Sequence, residues 1–339
     1  MSELPSIAAW PDGWWAVCRG RDLADRPLAV TIHGTPIVLF RSGQTIGALE
    51  DRCPHRMVPM SAGRLRQDEL ECPYHGWRYD AAGCCKATPG LVDETPDHPA
   101  RRLPAASVQE RNGLVWVTKN SVSASDPYLG PLAARDGHFP LIWKTQAAGN
   151  LADVAENFLD GFHTHYVHAG LIRKEGARRP VTARIHRTQD RVEIEYIGEG
   201  KQSGVISQWF ERERASSFAR FILPGVAELE YTSPNRTELT ITAYFTPSQE
   251  DRFLVHAVVA LKGGPILGLL KQLALAPFFA LALWQDQKIV RLQRETIRRW
   301  GGPKFVSTRL DVMRPHMERL LKDGPQAGQD IRHETTLFL

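Results

Sequence analysis

A chain of 339 residues, 42% of them apolar, holds enough material for a buried core and suggests about two domains. Its 42 basic and 38 acidic residues leave a formal charge of +4 and are dispersed along the sequence, without the basic blocks that mark a nucleic-acid binder. Met1 to Asp12 shows no basic segment followed by an apolar one, so a secretory signal is not expected and the address is read as cytoplasmic.

From Trp14 to about Val117 the chain offers short β-rich runs, Leu28 to Ile32, Pro36 to Phe40 and Gly113 to Thr118, separated by Gly, Pro and Asp turn signals; this predicts a small all-β module. The stretch Ser121-Val-Ser-Ala-Ser-Asp-Pro127 reads as a linker, which sets the domains at 1–122 and 123–339. Beyond it, Asn150 to His168 reads as a helix, and Val181 to Lys262 carries alternating runs such as Val192 to Ile197 and Leu239 to Phe245, the pattern of an antiparallel sheet. Two helical segments, about Ile266 to Trp300 and Thr308 to Lys322, are expected to close the chain. The second domain is thus α+β, a sheet backed by helices. Within it, Pro265 to Trp284 approaches the length of a bilayer span but is interrupted by Lys271, Gln272 and Pro277; a buried helix is preferred over membrane contact.

Five cysteines, Cys18, Cys53, Cys72, Cys84 and Cys85, are an odd number in a chain without a signal, which favours metal ligands or free thiols over disulfides. Cys53-Pro-His55 and, 16 residues later, Cys72-Pro-Tyr-His75 place two Cys/His pairs on two loops of the β module. Four such ligands would serve a tetrahedral zinc. They also meet the need of a Rieske 2Fe-2S cluster, with two cysteines on one iron and two histidines on the other. Cys84 and Cys85 fall outside the pattern and read as structural thiols, as does Cys18.

With Arg56, Gly76 and Trp77 beside these ligands, the two loops resemble the signature of Rieske non-haem iron oxygenases. The resemblance implies an α+β architecture in which the all-β Rieske domain precedes a helix-grip catalytic domain holding a mononuclear Fe(II). In the second domain, Asn157, Asp160 and His163 stand at steps of three, along one edge of a helix. His163 and His168 are five apart, about 140° on an ideal helix, so one metal reaches both only if the helix ends or bulges between them. Two histidines and a carboxylate form a facial triad that leaves open positions. The family pattern points to His163 and His168, with Asp286 as third ligand and Glu295 as its substitute; His165 could replace either histidine or meet substrate. By the same resemblance Asp160 bridges to the cluster histidine His75 of a neighbouring subunit in a head-to-tail homotrimer, and Asn157 lies near the iron.

Single-electron delivery requires a donor, and neither a G-x-G-x-x-G turn nor a C-x4-C-x2-C run occurs in the sequence; a separate flavin-dependent reductase, a ferredoxin, or both are implied, with NAD(P)H acting only through the reductase. The chain resembles the α-only branch that contains dicamba monooxygenase and aromatic O- and N-demethylases. That implies hydroxylation or oxidative demethylation of an aromatic or other hydrophobic small molecule with O2 as co-substrate. Arene cis-dihydroxylation and steroid-type hydroxylation are the alternatives, and a Rieske electron carrier is the non-enzymatic one. Phe158, Ile206, Trp209, Phe221, Leu223 and Tyr231 are pocket candidates, though alternating apolar residues in a sheet are commonly core.

Overall fold

A computed structural model describes residues 6–339 apart from 93–96, 120–125, 134–139, 175, 177, 201–203, 205–213, 235, 262–264 and 326–329, with the side chains of 265–269, 271 and 272 also left out. The chain divides into two compact units, Met1–Tyr128 with Thr246–Leu254, and Leu129–Phe245 with Val255–Leu339. The boundary expected near residue 122 falls outside the described residues.

The first unit contains β1 (Trp15–Arg19), β2 (Leu28–Ile32), β3 (Thr35–Ser42), β4 (Thr45–Glu50), β5 (Arg64–Arg66), β6 (Glu69–Glu71), β7 (Arg78–Tyr79), β8 (Cys85–Ala87), β9 (Ser107–Arg111) and β10 (Leu114–Thr118). They assemble as three small sheets in the orders β1-β10-β9, β2-β3-β4 and β5-β6-β7-β8. All three expected runs here are strands. The core splits in two, one half around Trp10, Trp15, Ile32 and Val117, the other around Val38, Phe40, Leu70 and Tyr79 with the thiols of Cys53, Cys72 and Cys85. The cluster loops therefore rest on packed apolar side chains.

In the second unit an antiparallel sheet is built from β11 (Leu141–Ala148), β12 (Pro180–Arg187), β13 (Arg191–Ile197), β14 (Ser216–Ile222), β15 (Val226–Ser233), β16 (Arg236–Gln249), β17 (Arg252–Leu261) and β18 (Ile331–Phe338). Its order is β11-β17-β16-β15-β14-β13-β12-β18. Along β13 the residues Val192, Ile194 and Tyr196 are buried while their neighbours are not, the period of two that a one-sided core requires. Helices α1 (Leu151–Leu159), α2 (Pro265–Arg299) and α3 (Arg314–Asp323) complete the unit; α1 packs against β14 and β15 and also meets α2 and α3. Arg314 fixes α3 to α1 through Asp153 at 2.7 Å and Glu156 at 2.8 Å.

Three expectations need correction. The helix expected over Asn150 to His168 stops at Leu159, where Asp160 takes an extended ψ of 122°, and the chain continues through a turn into a short 3-10 segment, His163–His165. Polypeptide beyond α3 returns as β18, which pairs along β12 from Pro180↔Phe338 to Arg187↔Ile331. Among the described side chains of the apolar stretch in α2, Leu275 and Ala282 are buried while Leu270, Leu273 and Trp284 are about 60% exposed. Among the described residues no helix is long and apolar enough to cross a membrane.

Candidate functional site

The two Cys/His loops share one backbone design. Cys53 N–H donates to Val58 C=O and Met57 N–H to Cys53 C=O, each at 2.8 Å; Cys72 N–H donates to Trp77 C=O at 2.8 Å and Gly76 N–H to Cys72 C=O at 3.2 Å. Both turns need a positive φ at the fourth residue after the cysteine, 60° at Met57 and 70° at Gly76. Glycine meets that demand freely, whereas methionine carries a steric cost of about 1–2 kcal/mol.

This geometry buries Cys53 and Cys72 side by side and holds the His55 and His75 rings with centroids 4.5 Å apart. Trp77 of the second loop stacks on His55 of the first at 4.9 Å and 3°. Burial, and then the adjacent Cys72 thiol, push the Cys53 thiol up to about 11. Burial followed by the neighbouring charges of His75 and Arg56 lowers the His55 pKa, favouring the neutral ring that a metal binds. His55 Nδ1 is buried without a hydrogen-bond partner among the described residues, and the buried Tyr79 hydroxyl stands beside the Cys85 and Cys53 thiols. Burial, then the thiols of Cys85 and Cys53, hold that hydroxyl protonated. Two thiols, two imidazoles and an unused ligand atom fit a cluster with mixed Cys/His coordination.

In the second unit His163, His168 and Asp286 present ligand atoms that lie within 4.8 Å of one another. Asp286 Oδ1 is 3.0 Å from His168 Nε2 and 3.4 Å from His163 Nε2, and the two rings stand at 71°. Termination of α1 makes this possible. Asp160 closes the turn, its Oδ1 accepting from Phe162 N–H at 2.7 Å and Oδ2 from His163 N–H at 3.0 Å.

The other ring nitrogen of each histidine faces an oxygen. His168 Nδ1 faces the Gln285 carbonyl oxygen at 2.8 Å, and His163 Nδ1 faces Asp160 Oδ2 at 3.4 Å. Both facing oxygens only accept, so a neutral ring keeps its proton on Nδ1 and turns a lone pair at Nε2 toward Asp286. Asn157 Nδ2 donates to Asp286 Oδ1 at 3.4 Å. Burial opposes charge on His163, but Asp160 and Asp286 outweigh it and raise the ring to about 9. Burial likewise opposes ionisation of Asp286, yet the His163 and His168 contacts bring its pKa below the ordinary value.

This coupling has a sign that can be measured. A divalent ion must displace the His163 proton, so Fe(II) affinity is expected to weaken as pH falls through about 9, by up to about tenfold per pH unit for one proton. Chelator competition at several pH values below 9 checks it; a flat profile would remove His163 as a protonated competitor.

His165 does not join the convergent ligand atoms. It is 2% exposed and its Nδ1 lies 3.0 Å from the Lys174 carbonyl. Glu295 is exposed and also stands outside the group. A cavity of about 180 Å³ adjoins the triad, and of the pocket candidates Phe158 and Tyr231 line it. Phe221 is core and Leu223 is not part of the wall; Ile206 and Trp209 lie outside the described residues. Sequence reasoning missed Trp143, Arg173, Glu199 and Arg214 on that wall, and missed Gln285. For Gln285 a signal existed, its place directly before Asp286; the others are joined to the site only by tertiary structure.

A mixed Cys/His loop pair on a β module, followed by a sheet domain with a two-histidine, one-carboxylate centre, defines the class of Rieske-type iron proteins with a second, mononuclear metal site. Residues 13–104 match the Rieske 2Fe-2S domain, and residues 148–323 match the vanillate O-demethylase oxygenase C-terminal domain. The chain belongs to the Rieske oxygenase family, in its vanillate O-demethylase branch, and carries the family's 2Fe-2S and mononuclear iron sites.

Methylxanthine N3-demethylase of Pseudomonas putida is 34% identical over 175 residues, 47% of this chain and 48% of that protein. Dicamba O-demethylase, oxygenase component, of Stenotrophomonas maltophilia is 29% identical over 163 residues, 46% of this chain and 47% of that protein. The solved structure of dicamba monooxygenase bound to 3,6 dichlorosalicylic acid shares the fold with a TM-score of 0.77 at 19% identity, over 92% of this chain and 96% of that one. Matches to the first curated relatives span 30%, 48% and 59% of those proteins' lengths.

Proposed function

We propose that this chain is the terminal oxygenase component of a multicomponent system, working in the cytoplasm, that hydroxylates or oxidatively demethylates an aromatic or similarly hydrophobic small molecule. Residues 1–122 serve as the cluster domain, with Cys53, His55, Cys72 and His75 as ligands, and residues 123–339 as the catalytic domain, with His163, His168 and Asp286 as iron ligands. The observation that carries the reading is the convergence of the His163, His168 and Asp286 ligand atoms beside a cavity of about 180 Å³, close to the size that takes a single benzene ring.

When bound, the cluster relays single electrons and the mononuclear iron activates dioxygen. The protein's part is to position and to exclude. Phe158, Ile241, Phe279 and Leu283 give the cavity an apolar wall, which would order an aromatic ring and keep water from the reacting carbon. Gln285 and Asp160 hold the two imidazoles, so the ligand set needs no rearrangement. For a methoxy substrate, oxygen insertion into the methyl C–H bond gives a hemiacetal that collapses to a phenol and formaldehyde; the second oxygen atom leaves as water with two electrons and two protons.

Electrons come from a separate reductase, with or without a ferredoxin. Support for this comes from relatives named as an oxygenase component and as an iron-sulfur subunit of a monooxygenase system. In a homotrimer, Asp160 would link the iron site to His75 of a neighbouring copy.

The test is EPR with iron and sulfide analysis of anaerobically purified, dithionite-reduced protein, followed by turnover of a methoxyarene with a reductase. About three irons and about two sulfides per chain, a rhombic signal of mixed His/Cys type and stoichiometric formaldehyde are expected. Zinc without sulfide, or a cis-diol in place of formaldehyde, would overturn the reading.

Tyr79 supplies a finer check. Its buried hydroxyl lies near both Cys85 and the ligand Cys53; turned to the Cys53 thiolate it would donate there, and such bonds raise the reduction potential. Tyr79→Phe is expected to lower the potential by roughly 50 mV, the equivalent of one hydrogen bond of about 1 kcal/mol for a one-electron couple. Redox titration by EPR reads the shift; an unchanged potential would give Tyr79 a packing role only.

A further inference from the structure

Two cavities meet at the triad. The one already described, of about 180 Å³, is lined among the described residues only by buried or half-buried side chains, so no exposed residue marks a mouth of its own. A second, of about 420 Å³, is bounded by α1, α2, β11, β16 and β17. This one reaches the surface, since Gln146, Trp284, Gln287, Lys288 and Arg291 in its wall are exposed. Its inner part is apolar, with Val154, Phe245, Val255 and Val290 buried there. Native interiors are packed too densely to leave many voids larger than a water molecule. Two adjoining spaces of this size are therefore not packing defects.

Five residues belong to both walls, Asn157, Phe158, Ala257, Leu283 and Asp286. All five are half-buried, as side chains with open space on two sides must be. Two of them are tied down: Asn157 Nδ2 donates to Asp286 Oδ1 at 3.4 Å, and Asp286 is held among the triad histidines. The other three are apolar and have no polar side-chain atom to anchor them. Phe158 is the last residue but one of α1. The outer rim, by contrast, is pinned, for Gln287 Nε2 of α2 donates to Thr145 Oγ1 at 2.9 Å and to the Gln146 carbonyl at 3.2 Å on β11.

Resting on the oxygenase reading, we infer that the second cavity is the vestibule through which the substrate reaches the triad, and that Phe158, with Leu283 and Ala257, sets the width of what can pass. A flat apolar ring first rests on the vestibule's inner wall, where burial favours it. It then passes as the Phe158 ring turns about its side-chain torsions, a movement that free space on both sides permits. The triad cavity has the size of one benzene ring, so a single ring enters fully and a fused pair is held back in the vestibule.

The test follows 4-fluoroanisole by fluorine NMR on the iron-loaded holoenzyme without reductant, so no turnover enters. The unpaired electrons of Fe(II) shift the resonance of a ring held beside the triad, which separates arrival there from lodging in the vestibule, and exchange spectroscopy gives the rate. Ala147 is half-buried and lines only the second cavity. Ala147→Trp is expected to slow exchange at least about tenfold, with iron content and the position of the shifted resonance unchanged. Phe158→Ala should speed exchange several-fold and let 2-fluoro-6-methoxynaphthalene reach the shifted position, which the unaltered protein denies it; this variant decides alone if Ala147→Trp does not fold. Unchanged exchange in the variants, or a naphthalene that reaches the iron of the unaltered protein as readily as the single ring, would overturn the inference. Because the readout is the place and exchange of an unreacted ring, its failure is separate from failure of the oxygenase reading, which iron, sulfide and formaldehyde decide.

Discussion

Asp286→Ala is expected to purify with its 2Fe-2S colour and without mononuclear iron. The carboxylate oxygen stands at 3.0 Å and 3.4 Å from the two imidazole Nε2 atoms, so its removal leaves two imidazoles and no anionic ligand for a divalent ion. A drop in Fe(II) affinity of more than about 100-fold follows, beyond the 10–100-fold usual for losing a group that only supports a ligand. Gln285→Leu supplies that milder case. It removes the oxygen opposite His168 Nδ1 and should weaken iron by about 10–100-fold while the cluster is untouched. Undiminished iron in Asp286→Ala would move the third ligand to another carboxylate, and equal losses in the two variants would mean that His168 orientation, not the carboxylate, governs the site.

Asp160→Asn separates two roles for one side chain. Asparagine can still accept from the Phe162 N–H through its single oxygen, so the turn after α1 should survive. The negative charge beside His163 Nδ1, 3.4 Å away, is lost. Were Asp160 only a support for His163, iron affinity would fall by about 10–100-fold and turnover would recover when iron is supplied in excess. If it also carries the link to a neighbouring copy's His75, turnover should fall by at least about 100-fold with iron and cluster both full. Stopped-flow oxidation of the reduced cluster in the presence of O2 and a methoxyarene distinguishes the two. Full activity would leave Asp160 as a turn residue.

Much of the site was legible because its ligands are chemically rare and closely spaced. Cys53-Pro-His55 and Cys72-Pro-Tyr-His75 need no tertiary knowledge, and the five-residue step from His163 to His168 already required that a helix end or bulge between them. The mistake was to run the helix on to His168. Asp160 and Gly161 form a stop signal in themselves, an aspartate that bonds ahead to two backbone N–H groups and a glycine after it.

Other features were not readable, for physical reasons. Ile331–Phe338 is mostly exposed, and its strand state depends on a partner, β12, about 150 positions earlier. In α2, apolar composition suggested burial, yet one face with Leu270, Leu273 and Trp284 is open. Arg173 and Glu199 form a buried ion pair across 26 positions, and no local pattern tells such a pair from surface charge.

The convergence of the His163, His168 and Asp286 ligand atoms carries a further consequence for metal identity. A site of two imidazoles and a carboxylate has little power to reject other divalent ions, and intrinsic affinity along the first-row series favours copper and zinc over ferrous iron. Correct loading then depends on which ion is abundant while the protein matures. Protein produced in zinc-rich medium should emerge coloured by its cluster yet catalytically silent, and chelation followed by anaerobic Fe(II) should awaken it.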